Sequence, residues 1–105
     1  MSWNVCYTEA AENDLRGIYE YIAFNLLVPD TAHKLLNDIM KEVSMLDENP
    51  LRFPVYKNEP WHSKGLRWFP VNNYIIFYLP TEENKTVTII RIMYGGRNIE
   101  EQLNN

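Results

Sequence analysis

The stretch Leu66–Tyr78, with the sequence LRWFPVNNYIIFY, constrains the fold of this chain more than any other. Two runs of large apolar and aromatic residues flank Asn72 and Asn73, and asparagine tolerates the positive φ angles of a two-residue hairpin turn. The pattern therefore predicts a β-hairpin in which Val71 pairs with Tyr74, and the remaining pairs follow by counting outward from the turn.

The predicted hairpin has two faces, and both are apolar. Alternation along the strands gives the first face Arg67, Phe69, Val71, Tyr74, Ile76 and Tyr78. The second face carries Leu66, Trp68, Pro70, Ile75, Phe77 and Leu79. The helices of a small domain can bury one face, and the other would be a larger apolar patch than a soluble monomer usually exposes. We therefore expect one face of the hairpin to bind a partner.

Length and composition predict one domain spanning residues 1–105, because 105 residues with 46% hydrophobic content suffice for a single core. The first residues lack a signal segment, and no apolar run approaches the roughly 20 residues that a membrane helix needs. We therefore expect a cytoplasmic protein without membrane contact. The net charge of −4 argues against a broad surface for nucleic-acid phosphates.

The residues that most often carry metal or thiol chemistry are sparse. Cys6 is the single cysteine and lies in an alternating segment, which favours a small packed residue over a catalytic thiol. His33 and His62 lie in different elements with no cysteine or aspartate at ligand spacing. We therefore expect neither a metal site nor another cofactor.

The first half of the chain predicts a strand followed by two amphipathic helices. Residues 3–7 alternate as a strand does, and Thr8 offers an N-cap hydroxyl. The first helical stripe is Ala11, Leu15, Ile18, Ile22 and Leu26. The second stripe is Ala32, Leu35, Leu36, Ile39, Val43 and Leu46. Pro29 separates the two helices, and so short a connection makes them antiparallel.

The second half predicts three strands and a short final helix. The irregular segment 51–64, with Pro54 and Pro60, is typical of a surface loop. After the hairpin, Val87–Tyr94 is rich in β-branched residues and is expected to be the central or last strand, while residues 99–103 form helical turns. The predicted class is α+β, a helical hairpin on one face of a mostly antiparallel sheet in the order β-α-α-β-β-β with a short C-terminal helix.

A series of short motifs runs along nearly the whole chain. They are Tyr7-Thr8, Ala11, Asp14-Leu15, Ile18–Ala23 (IYEYIA), Ala32, Ile39, Asn49-Pro50, Gly65-Leu66-Arg67, Tyr74–Tyr78 (YIIFY), Arg91-Ile92, Tyr94-Gly95 and Arg97-Asn98-Ile99. In this order and spacing they resemble the RelE/ParE toxins of type II toxin–antitoxin modules, also described as plasmid stabilisation proteins. The resemblance implies the same order of elements, and an antitoxin whose C-terminal arm lies across the sheet. Such an arm would cover the second face of the hairpin.

Two activities occur in that family, and three positions bear on the choice between them. RelE-like members cleave messenger RNA on the ribosome and need basic side chains on the hairpin strands to stabilise the phosphate. The matching positions here are Leu66, Trp68 and Ile75, which cannot do so, and Arg97 alone matches a basic position of that pattern. The resemblance therefore favours the ParE-like branch, whose members poison DNA gyrase without a known covalent step.

Two alternatives stay open. A RelE-like endoribonuclease acting on messenger RNA in the ribosome would use Arg91, Tyr94 and Arg97, with His62 as a further candidate. A degenerate toxin would bind its antitoxin and little else. Whether the chain is an enzyme therefore also stays open, although the missing lysines favour a binding protein. The expected assemblies are a homodimer or a heterotetramer with the cognate antitoxin.

Six residues are candidates for contact with an antitoxin or target: Leu66, Arg67, Trp68, Ile75, Phe77 and Arg97. Structural roles compete with these assignments. Arg67 and Arg91 lie on strands among apolar neighbours, where each would pair with a carboxylate from a helix. Trp68 and Phe77 would be core residues if the helices covered their face instead.

Overall fold

The computed structural model describes residues 2–96 and 98–104. The strands are β1 (Asn4–Tyr7), β2 (Arg67–Val71), β3 (Tyr74–Thr81) and β4 (Thr86–Tyr94). The helices are α1 (Glu9–Glu20), α2 (Pro29–Ser44), α3 (Trp61–Lys64) and α4 (Ile99–Leu103). Each helix that the structure describes is too short or too polar to cross a bilayer.

The four strands form one mixed sheet in the order β1-β4-β3-β2. β1 runs parallel to β4, pairing Asn4 with Thr86 and Tyr7 with Ile89, whereas the other two pairings are antiparallel. β4 is therefore a central strand, which fits its β-branched composition. The predicted α+β architecture and its order of strands and long helices are confirmed.

The hairpin of β2 and β3 has the predicted register. Val71 pairs with Tyr74, and the pairing continues outward to Arg67 with Tyr78. Asn72 adopts a φ of 53°, the positive value that the two-residue turn requires. Its first face enters the main core through Phe69, Val71, Ile76 and Tyr78.

The two long helices supply the other half of the main core. Their buried residues, with those of the turns that follow them, are Ala11, Ile22, Ala23, Ala32, Leu35, Ile39, Val43 and Leu46. Thr8 caps α1 as predicted, since its hydroxyl accepts a hydrogen bond from the Ala11 amide at 3.0 Å and donates one to the Ile90 carbonyl at 2.9 Å. A cap of this type stabilises a helix by about 1 kcal/mol.

Four residues of the predicted helical stripes are less buried than expected. Leu15, Ile18 and Leu36 are only partly buried, and Leu26 is 52% exposed. Leu26 follows a π-helical turn over Tyr21–Asn25, and its amide donates to the Tyr21 carbonyl five residues back at 3.1 Å. This wider turn changes the phase of the helix, so Leu26 rotates away from the core.

The segment 51–64 is more ordered than the predicted surface loop. It contains a 3₁₀ turn over Pro50–Arg52, an isolated bridge between Val55 and Arg67, and α3. The Tyr56 amide donates to the Leu66 carbonyl at 2.7 Å, and the Trp68 amide donates to the Pro54 carbonyl at 3.2 Å. Residues 54–56 therefore lie along the outer edge of β2 and satisfy part of its backbone, which protects an exposed sheet edge.

A β-bulge interrupts the pairing of β4 with β3. Tyr78 of β3 pairs with Ile89, and the adjacent Phe77 pairs with Arg91. Ile90 is therefore left without a partner on that strand. Strict alternation predicts Arg91 on the same face as Val87, Ile89 and Met93. That expectation is wrong because the extra residue shifts the phase, so Val87 and Ile89 join the main core whereas Met93 joins a second cluster.

Tyr78 ties the main core to the turn after α2. The side chain is fully buried, and its hydroxyl donates to the Pro50 carbonyl at 2.6 Å. Tyr78→Phe would leave that carbonyl without a partner, so we expect a loss of about 1 to 2 kcal/mol in the free energy of unfolding near neutral pH. Urea titration of the two proteins measures this difference.

The same pair of proteins tests the protonation state of the phenol. Burial raises the pKa of Tyr78 to about 12, above the value of about 10 in the unfolded chain. The contribution of this tyrosine to the free energy of unfolding is therefore present below about pH 10. It is lost as the pH rises from about 10 to 12, by up to about 1.4 kcal/mol per pH unit. The advantage over Tyr78→Phe should shrink between about pH 10 and pH 12. A constant difference would contradict the buried hydroxyl bond.

Candidate partner-binding groove

The second face of the hairpin is partly covered by the chain itself. Leu66, Phe77, Met93 and Leu103 form a second buried cluster, flanked by residues of α4 and of the 56–61 segment. Leu66 is 0% exposed and Phe77 is 1% exposed. The expectation that this face needs another chain to cover it is therefore wrong at its centre, because the chain folds α4 and Tyr56 over it.

An open apolar groove of about 460 Å³ remains beside α4. Its lining residues are Pro54, Val55, Tyr56, Lys57, Trp68, Ile75, Phe77 and Ile99. Three predicted contact residues, Trp68, Ile75 and Phe77, thus lie together in this groove, whereas Leu66 is buried and does not line it. A concave apolar site of this size can accept several side chains of a partner segment.

Polar contacts hold α4 against the 56–61 segment at one side of the groove. The Tyr56 hydroxyl and the Asn58 amide group both donate to Glu100, at 2.5 and 3.1 Å. The Trp61 indole donates to the Asn104 side chain at 3.0 Å. Burial, followed by the bond to the Glu100 carboxylate, raises the pKa of the Tyr56 hydroxyl. The tyrosine is therefore a neutral donor at physiological pH, which suits its contact with a carboxylate.

Arg67 belongs to the framework of the fold. Its guanidinium donates to the backbone carbonyls of Leu51 at 3.0 Å and Phe53 at 2.5 Å. The predicted pairing with a helix carboxylate is wrong, because residues 51–53 pass beside the start of β2 and bring their carbonyls to this position. Arg67 therefore fastens the segment after α2 to the sheet.

Arg91 forms the predicted structural pair, and its partner is Asp14 of α1. The guanidinium donates to both carboxylate oxygens, at 2.7 and 2.9 Å, and to the Gln102 carbonyl at 3.3 Å. Asp14 also accepts the Ile92 amide at 2.9 Å. β1 ends opposite Ile89, so α1 supplies acceptors to the edge of β4 beyond that point. The bond to Asp14 raises the pKa of Arg91 and joins α1, β4 and α4.

Of the remaining nuclease candidates, Tyr94 and His62 lie in separate surroundings. Tyr94 is 47% exposed, and its ring meets Tyr74 edge to face at a centroid distance of 5.7 Å. His62 lies in α3 with its Nδ1 atom 2.9 Å from the Tyr56 carbonyl oxygen. Arg97 lies outside the described residues. Within residues 2–96 and 98–104, three or more side chains able to bind a metal do not come together.

The residues that form the walls of the groove were not predicted from the sequence. Val55 and Tyr56 lie in the segment interpreted as a loop, and Ile99 lies in the short final helix. A signal was present, because Ile99 and Leu103 are four residues apart and therefore share one side of a helix. That spacing indicates a helix packed on apolar surface, and the second hairpin face is where such surface was predicted.

The sequence matches the family model described as the ParE toxin of type II toxin–antitoxin system, parDE, over residues 5–99. No curated protein shows significant sequence similarity to the chain.

Several solved structures share the fold. The chromosomal ParDE system from P. aeruginosa has a TM-score of 0.72 at 23% identity, covering 89% of this chain and 96% of that one. The RelBE2 toxin–antitoxin complex from Mycobacterium tuberculosis has a TM-score of 0.67 at 21% identity, covering 90% and 99%. A mutant E. coli RelE toxin in the free state has a TM-score of 0.66 at 13% identity, covering 97% and 93%. At these identities the likeness establishes the fold alone.

Proposed function

Because the chain belongs to the ParE toxin family of type II toxin–antitoxin systems, we propose that it inhibits DNA gyrase by binding and that a cognate antitoxin neutralises it. The observation that supports inhibition by binding over cleavage of RNA is the apolar character of the second hairpin face. Trp68 and Ile75 line an apolar groove, and Leu66 is buried beneath the chain's own cover.

The chemistry of phosphate cleavage supports binding over catalysis. Such a reaction needs preorganised cations over the scissile group, and removing one donor typically costs on the order of 100-fold in rate. The strand positions that would carry these cations hold Leu66, Trp68 and Ile75, and the Arg91 guanidinium is already held by Asp14. The net charge of −4 would also slow approach to ribosomal RNA.

The groove supports an antitoxin arm as the neutralising partner. An extended or helical arm with apolar side chains would lie between Ile99 and the 54–57 segment, over Trp68 and Ile75. Burial of apolar surface contributes roughly 25 cal/mol per Å², and a partly buried tryptophan at the floor of a groove is a typical anchor of binding energy. The arm would add to the cover that α4 already provides.

Two assays on the purified chain test the target. We expect inhibition of DNA supercoiling by gyrase, relief of that inhibition by an equimolar antitoxin, and intact messenger RNA in a programmed ribosome. Tyr94→Phe is the matched variant, because it keeps the exposed ring and removes the hydroxyl that a ribonuclease would use. The variant should inhibit gyrase as the parent chain does.

Other results would assign the chain to one of the alternatives. Cleavage of the message with supercoiling untouched, and loss of that cleavage in Tyr94→Phe, would identify a RelE-like ribonuclease. Silence in both assays together with retained antitoxin binding would identify a degenerate toxin.

A further inference from the structure

A cluster of exposed apolar side chains lies where α1 turns into α2. We call Tyr21, Phe24, Leu26, Leu27 and Val28 the turn patch. Leu27 is 77% exposed and Phe24 is 64% exposed. None of the nine residues from Tyr21 to Pro29 (YIAFNLLVP) is charged, so no charged side chain interrupts the patch along the sequence.

The turn patch has an unusual backbone conformation in addition to its exposed apolar side chains. Residues 21–25 form a π-helical turn, a feature that is frequent at functional sites. Leu27 has a φ of 60°, a left-handed conformation that residues with bulky side chains rarely adopt. A leucine in this position contributes little apolar burial to the monomer, and asparagine would fit the backbone more easily. We therefore expect Leu27 to be buried when this chain assembles with a partner.

The turn patch adjoins a second groove that is separate from the one beside α4. This groove has a volume of about 770 Å³, and its lining includes Tyr21, Leu26, Tyr74 and Tyr94. Phe24 and Leu27 do not line it. Asn13, Asp14 and Gln102 line its polar side. One surface therefore combines projecting apolar side chains with an adjoining recess of mixed polarity.

We propose that the turn patch and its adjoining groove bind a second copy of this chain across a two-fold axis. In such a contact each surface must complement itself, and here Phe24 and Leu27 of one copy would enter the groove of the other while the reciprocal contact forms. Glu20 and Asp30 flank the turn patch in the sequence, and Lys34 lines a recess together with Tyr74 and Tyr94. Charges of both signs are therefore available for a self-complementary rim.

The available area fits a dimer. At about 200 Å² for each large side chain, the exposed fractions of the turn patch amount to on the order of 500 Å². A standard interface buries about 800 Å² per partner, and the exposed parts of Tyr74, Tyr94 and the polar rim contribute toward the remainder. The groove beside α4 shares no lining residue with this surface, so the dimer leaves that groove open.

Sedimentation velocity and light scattering of the full chain, from low micromolar to several hundred micromolar, test the proposal. The mass should rise with concentration from 12.5 kDa to twice that value. Leu27→Asn removes the projecting apolar group and suits the left-handed backbone, so the variant should stay folded and its dimer dissociation constant should rise by about ten-fold or more. Phe24→Asn should do the same.

Met40→Asn is the matched control, because Met40 is also an exposed apolar residue but lies about three turns further along α2. It should leave the dimer unchanged. A chain that stays monomeric throughout would overturn the proposal, and so would a dimer that survives both patch variants. If the chain is monomeric and the patch variants instead lose binding to the antitoxin, the turn patch belongs to the antitoxin interface and the proposal is again overturned.

Discussion

Trp68→Asp is expected to abolish co-purification of the chain with its antitoxin, which corresponds to a loss of affinity of at least about 30-fold. Trp68 lines the groove beside α4 together with Ile75, and its indole is the largest ring among the lining residues. An aspartate in its place would face the apolar side chains of the arm, and the carboxylate would lose its hydration on binding without gaining a partner.

Two further variants make this result interpretable. Met40→Asp introduces the same charge at an exposed apolar position of α2 and should leave co-purification intact. Trp68→Phe keeps an aromatic ring in the groove and should weaken binding only modestly. Circular dichroism and thermal unfolding establish that each variant folds. A folded Trp68→Asp protein that still co-purifies with its antitoxin would show that the arm binds elsewhere.

Arg91→Ala is expected to lower the free energy of unfolding by about 2 to 3 kcal/mol, a value discounted from that of a fully buried pair because both side chains are partly exposed. The substitution removes two hydrogen bonds to Asp14 and one to the Gln102 carbonyl. It leaves the Asp14 carboxylate with the Ile92 amide and without the positive charge of Arg91. Denaturant unfolding monitored by fluorescence measures the loss.

A double-mutant cycle separates this structural role from a catalytic one. Asp14→Ala and Asp14→Ala/Arg91→Ala complete the cycle, and the double variant should lose clearly less stability than the sum of the two single variants. Additive losses would mean that the ion pair contributes nothing as a pair. If Arg91→Ala leaves stability unchanged but removes messenger RNA cleavage, the ribonuclease assignment of Arg91 would be correct instead.

The hairpin could be predicted from the sequence because two local rules act together. A two-residue turn at Asn72-Asn73 fixes which residues pair, and the two-residue period of a strand then fixes both faces. The register, in which Arg67 pairs with Tyr78 and Val71 pairs with Tyr74, follows directly and is confirmed. The helical stripes could be predicted for a similar reason, since spacings of three and four identify one side of a helix.

The rest depends on contacts between residues far apart in the chain. The partner of Arg91 is 77 positions away, and the partner of Tyr56 at Glu100 is 44 positions away. The spacing of apolar residues carries no information about such pairs. The bulge at Ile90 and the π-helical turn before Leu26 each shift the phase of an otherwise regular pattern, so the faces of Arg91 and Leu26 could not be predicted by counting.

The parallel pairing of β1 with β4 affects the timing of folding during synthesis. Tyr7 pairs with Ile89, so β1 cannot pair within the described sheet until β4 has been synthesised. At translation rates of 5 to 20 residues per second, that wait is roughly 4 to 16 s. A nascent chain interrupted before Thr86 cannot close the sheet over α1, and its apolar segments remain without a core. The described sheet can therefore form in full only after β4 has been synthesised.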